Sequence, residues 1–152
     1  MLAALGAWWS QKPAKSVSPD ANLRAWVDTL VPAEPDFPGA LALGVADRIS
    51  NAIQRDPQYA KLTQEALNWI DTRARKLGGA SFAELPESGR QNVVAAAAAS
   101  AAGSTPRTFF QASLDDALFH TYADPRAWVG LGYAGPPQPV GFPDHVSAPK
   151  AV

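Results

Sequence analysis

The sequence predicts an all-α fold: a compact bundle of about five helices followed by an extended tail rich in proline, glycine and aromatic residues. Three observations carry this. Apolar residues recur at three- and four-residue spacing in successive stretches between Leu23 and Tyr122. Most of these stretches are bracketed by capping and breaking residues. From Asp124 onward the helical period disappears, and Gly and Pro punctuate the chain. The expected organisation is an apolar N-terminal arm over 1–17, a helical domain over 18–123 and an extended docking tail over 124–152.

The first helix is announced by Ser18-Pro19-Asp20, a cap, a proline suited to the first helical position and an acid at the positive dipole end. Leu23, Trp26, Val27 and Leu30 form its apolar face, and Pro32 stops it. A rigid loop over 32–39 leads to a second helix over 40–55, with Leu41, Val45, Ile49 and Ile53 every four residues. Asp56-Pro57 opens a third helix. Its face is Leu62, Ala66, Trp69, Ile70 and Leu77, and it ends at Gly78-Gly79 after Arg73, Arg75 and Lys76. Ser81-Phe82-Ala83-Glu84 matches a capping box opening a short turn. An alanine-rich fourth helix is expected over 87–102, where small side chains let another backbone approach closely. Thr105-Pro106 caps a fifth helix, with Phe109, Phe110, Leu114, Ala117, Leu118, Thr121 and Tyr122 as its face and Asp124-Pro125 as its end.

Composition removes several function classes. The 152 residues carry a formal net charge of -1 with 18% charged residues and no basic stripe, so nothing favours nucleic acid as a partner. Cysteine is absent, which excludes disulfides, thiolate metal sites, covalent haem attachment and cysteine nucleophiles. No stretch is long and apolar enough to span a membrane; the alanine-rich run over 93–103 is about half the needed length. The opening stretch from Met1 to Trp9 is apolar but short and lacks a basic start or twin arginine. It fails as a secretory signal as written; the alternative reading is the remnant of an export signal.

Chemistry-bearing patterns are few. Histidine occurs twice, at His120 and His145, too few and too distant for a metal site with scattered carboxylates. Asp116 and His120 lie four apart on one helix face. They can be read as a base with its orienting carboxylate, but a polar pair near a helix end is the favoured reading. Gly130-Leu131-Gly132-Tyr133-Ala134-Gly135 superficially resembles a dinucleotide fingerprint, yet its spacing is one residue short and Pro136-Pro137 follows. No catalytic, cofactor-binding or metal-binding residue is therefore assigned. The aromatic residues invite another role. Trp8, Trp9, Phe119, Tyr122, Trp128, Tyr133 and Phe142 are expected as partner contacts, because Trp and Tyr are enriched at binding hot spots.

The fifth helix and tail carry a family resemblance. Phe109-Phe110, Leu114, Phe119-His120-Thr121-Tyr122-Ala123-Asp124-Pro125, Trp128 and Gly132-Tyr133-Ala134-Gly135-Pro136 resemble the C-terminal signature of the gluconate 2-dehydrogenase subunit 3 family. Leu30-Val31-Pro32, Pro38-Gly39-Ala40 and Gly44-Val45 resemble its opening run, and Ser81-Phe82 through Leu85 its middle segment. Two departures stand out: a Gly-Gly-Asn stretch frequent after the family's Asp-Pro is replaced by Arg126-Ala127-Trp128, and the twin arginine is missing.

The resemblance implies a non-catalytic small subunit of a periplasmic, heteromeric FAD-dependent sugar dehydrogenase. It would stabilise, and assist the export of, a large flavoprotein of the glucose-methanol-choline type. FAD would lie in that subunit, and electrons would leave to a c-type cytochrome carrying haem c. This chain would bind no cofactor itself. The alternative expectation is a free-standing helical adapter or chaperone unrelated to an oxidoreductase complex.

Overall fold

The computed structural model describes residues 21–135. The expected cap at Ser18-Pro19-Asp20 and the aromatic residues Trp8, Trp9 and Phe142 lie outside them. Among the described residues there are seven helices and no strand: α1 (Ala21–Leu30), α2 (Gly39–Ala42), α3 (Val45–Arg55), α4 (Pro57–Lys76), α5 (Glu87–Ala98), α6 (Thr105–Tyr122) and α7 (Pro125–Trp128). The five longer ones correspond to the five expected from periodicity.

α6 is the axis of the bundle, packing against each of the other six helices. Its innermost stripe is Phe109, Ser113, Ala117 and Thr121, four residues apart, all buried. Small side chains in the middle of that stripe let neighbouring helices approach closely. Into this space α1 inserts Trp26, which is fully buried between Phe82 and Phe109 at ring-centroid distances of 5.7 and 5.5 Å. A buried indole N–H needs an acceptor. The Trp26 Nε1–H donates to Ser113 Oγ at 2.9 Å, and that hydroxyl donates onward to the Phe109 carbonyl at 2.7 Å.

A second polar knot seats Phe82. Asn22 Nδ2 donates to Asp71 Oδ1 (2.8 Å), which also accepts the Phe82 amide (3.1 Å), while Asn22 Oδ1 accepts the Ala83 amide (2.9 Å). The expected capping-box segment is thus a loop between α4 and α5 whose amides are taken by α1 and α4 side chains. It is held so that Phe82 is fully buried against Trp26.

Three boundaries differ from the sequence expectation. The single helix expected over 40–55 is split at Gly44, whose φ of 73° is left-handed. In a continuous helix Leu43 and Val45 would point about 200° apart. The break lets Leu43 and Val45 both face the core, 2% and 0% exposed. The alanine-rich helix ends at Ala98, and the Ser100 hydroxyl donates to the Ala96 carbonyl at 2.8 Å. Leu77, expected on the core face of α4, follows the last helical residue and is half-exposed, because the chain turns there toward Gly78-Gly79. The start of α4 is as expected: Asp56 accepts the amides of Gln58 and Tyr59, with Pro57 at the first position.

Replacing Ser113 with Ala leaves the Trp26 N–H buried without its acceptor, an expected cost of about 1–3 kcal/mol. A urea transition should move to lower midpoint with unchanged slope. An unmoved midpoint would show that the indole bond contributes nothing to stability.

Candidate functional site

The two groups nominated for acid–base chemistry do not form a pair. Asp116 accepts a hydrogen bond from Tyr59 Oη across α4 and α6 at 2.9 Å. Burial, then the Asp116 charge and hydrogen bond, hold the Tyr59 hydroxyl well above the ordinary tyrosine range, so it stays protonated as a donor. His120 meets the Phe119 ring edge-on, with centroids 5.3 Å apart. The Tyr59–Asp116 bond ties two helices together, the work of a polar clasp. Among the described residues no group of three or more His, Cys, Asp or Glu could hold a metal ion, and no helix is long and apolar enough to cross a membrane.

The distinctive construction lies where α6 ends. Asp124 caps a short helix where an extended tail was expected: α7 follows, with Pro125 at its first position and the Arg126 amide on Asp124 Oδ1 at 3.0 Å. Arg126 folds back over its own cap. Its Nε and Nη2 donate to the two Asp124 oxygens at 3.0 and 2.8 Å, a bidentate fork. The same guanidinium reaches the carbonyls of Ala42 (3.4 Å) and Leu43 (3.3 Å), which the end of α2 leaves unpaired within the helix. Arg48 of α3 approaches Asp124 Oδ2 at 3.4 Å. The Asp124 side chain is 7% exposed. The Arg126 side-chain and backbone hydrogen bonds hold its carboxyl down at about 2, below the ordinary 3.8. Arg126 is correspondingly raised by its bond to Asp124. By contrast the Arg24–Asp47 pair, 3.7 Å apart with both side chains well exposed, contributes about 0–1 kcal/mol at most. The Asp124 cluster, not the surface pairs, fastens this end of the chain.

Beyond α7 the chain is held against the bundle. At Gly130 a Cβ would lie 1.9 Å from the Asp36 carbonyl oxygen, so only glycine permits this approach to the 32–38 loop. Trp128 is half-buried; its Nε1–H donates to the Tyr122 carbonyl at 2.8 Å and its ring meets Tyr133 at 5.3 Å in a T-shaped contact. Gly130, the first glycine of the run that resembles a dinucleotide fingerprint, therefore serves the chain's own packing. The run offers no strand–turn–helix cradle for a flavin or nicotinamide cofactor.

This packing leaves large apolar side chains outside. Phe119 is 69% exposed, Tyr122 50%, Val129 85%, Leu131 50% and Tyr133 48%. Phe119 and Tyr122 share one face of α6. Tyr122 and Leu131 line a groove of about 290 Å³ with Leu30, Pro32, Phe37 and Leu118. Of the aromatic residues nominated from sequence, Phe119, Tyr122, Trp128 and Tyr133 are brought to this end of the bundle; Trp128 is spent on holding it together. Val129 and Leu131 were not nominated, because a Gly-interrupted segment has no period from which to read a face. Arg126 and Arg48 were missed for a different reason: their partners are distant in sequence. The one available signal was Asp124-Pro125, the same start sequence as Asp56-Pro57.

The polar side chains of this bundle clasp helices together, and all but one of its large exposed apolar side chains gather at one end among the described residues. Residues 20–135 match the gluconate 2-dehydrogenase subunit 3 family, and the chain belongs to it: it is a subunit of a dehydrogenase complex. Comparisons with curated proteins and with solved structures find no match.

The Asp124 latch has a pH signature. A carboxyl depressed in the folded state contributes stability above its unfolded pKa and loses it as pH falls through the folded value. The stability difference between the parent and Asp124→Asn should be full above about pH 4 and shrink as pH falls toward about 2. Thermal melts across that range test this; a difference independent of pH would contradict it.

Proposed function

We propose that this chain is the non-catalytic small subunit of a periplasmic FAD-dependent sugar dehydrogenase, stabilising its large flavoprotein subunit and assisting its export. The large subunit, of the glucose-methanol-choline type, would hold FAD and oxidise a CH–OH group of the sugar, and electrons would pass to a c-type cytochrome. The observation that carries the reading is the family match across nearly the whole helical body. Two features of the chain support the division of labour. Asp116 is engaged by Tyr59, and Gly130 of the glycine run lies against Asp36, so the motifs nearest to a catalytic pair and a cofactor loop both have structural work.

What this chain contributes is binding free energy. A subunit that binds the folded flavoprotein and not its unfolded form stabilises it by mass action, by about 2.7 kcal/mol when the free subunit is at a hundredfold its dissociation constant. Contacts from Phe119, Tyr122 and Tyr133 are the expected source among the described residues.

A tagged copy of this chain, isolated natively, should bring down a larger protein with flavin absorbance. That larger protein, expressed alone, should lose solubility, flavin retention or thermal stability relative to co-expression. Full solubility, flavin content and activity in its absence would refute the stabilising role. His120→Ala should leave turnover of the purified complex unchanged; a large loss would place chemistry on this chain.

A further inference from the structure

We infer that the face made by Phe119, Tyr122, Val129, Leu131 and Tyr133, with the groove beside it, is the surface onto which the large dehydrogenase subunit docks. This rests on the reading of the chain as a small subunit and adds where on its surface the partner sits. The five side chains form a connected surface. Phe119 and Tyr122 are one helical turn apart on α6. Tyr122 shares the groove with Leu131, and Trp128 links the Tyr122 carbonyl to the Tyr133 ring. Val129 stands on the turn between them, the most exposed of the five.

Area argues for a macromolecular occupant. Their exposed apolar surface is on the order of 500 Å², near the top of what a monomer's largest patch presents. A standard interface buries about 800 Å² on each partner. The patch therefore supplies the apolar centre of such an interface, leaving a polar rim to complete it. The groove of about 290 Å³ lies at its edge, between the loop after α1 and Gly130-Leu131. It is suited to one large apolar side chain of the partner, the arrangement in which hot spots form.

The face is also fixed before the partner arrives. Its position depends on Arg126 binding Asp124 and the α2 carbonyls, on Trp128 binding the Tyr122 carbonyl, and on Gly130 lying against Asp36. An apolar surface held rigid loses little conformational entropy on docking. Three separate devices hold in place a segment whose large apolar residues point outward. Burying those residues in this chain's own core would have needed none of that exposure. Family membership supplies the occupant: the chain is a dehydrogenase subunit, and a subunit has a partner.

Phe119→Gln and Val129→Lys are the test variants, since both side chains are mostly exposed and neither belongs to the buried core. Affinity is measured against the immobilised flavoprotein that the parent chain captures. Each variant should bind about tenfold more weakly or worse, while its melting midpoint and helical circular dichroism match the parent. Leu77→Gln, which removes an exposed leucine at the end of α4, should bind as the parent does. Binding by both patch variants within about twofold of the parent would overturn the placement while leaving the subunit reading intact. So would loss of self-association in the isolated chain with no change in flavoprotein affinity, which would mark the face as a contact between copies. Lowered melting midpoints in both variants, matched by a chain truncated after Gly135, would also overturn it by showing that the chain's own end covers the face. A parent chain that captures no flavoprotein at all would instead remove the subunit reading.

Discussion

The buried indole of Trp26 sets the terms for the rest of the fold. Its ring demands a space wide enough for the largest side chain, and its N–H demands an acceptor at a fixed place within that space. Ser113 meets both conditions, being small and carrying an oxygen 2.9 Å from Nε1. Because Ser113 lies midway along α6, the bond fixes the register of α1 against the central helix. Phe109, one turn earlier, and Phe82, brought in from the 79–86 loop, close the two sides of the ring. The loop can deliver Phe82 only because Asn22, one turn before Trp26, and Asp71 take its amides. One aromatic side chain thereby couples α1, α6 and the connection between α4 and α5.

The other end of α6 is built on a different principle. There the organising group is a carboxylate, Asp124, which caps α7 and receives two guanidinium groups. Its partners Arg48 and Arg126 belong to α3 and α7, and Arg126 also reaches the carbonyls at the end of α2. The latch draws the segment after α6 onto the bundle, yet buries only Ala127 from it among the large and small apolar residues of 127–133. Ordering of the backbone and exposure of the side chains coincide at this one place. Elsewhere the large apolar residues of the described chain are mostly buried or half-buried, Leu77 being the exception.

The family signature acquires physical content from this arrangement. The Asp-Pro at its centre is a helix cap and an ion-pair hub. Gly130 permits a backbone approach no other residue would tolerate, and the tryptophan between them is a hydrogen-bonded strut. Arg126, directly after the Asp-Pro, makes the fork to Asp124 and the bonds to α2.

The sequence by itself determined the five longer helices and most of the buried stripes, because helix periodicity and Asp-Pro or Thr-Pro starts are local properties of the chain. Of the aromatic residues expected as contacts, the fold places Phe119, Tyr122 and Tyr133 exposed at one end of the bundle. Tertiary structure alone decided that Gly44 breaks a helix, since the break is justified only by Leu43 and Val45 both reaching one core. It alone assigned Asp116 to Tyr59, Arg126 to Asp124 and the α2 carbonyls, and Leu131 to a groove shared with Leu30 and Phe37. These pairings join residues tens of positions apart or lie in a segment without a period. Spacing along a chain reports which side chains share a helix face; it carries no information about what that face will meet.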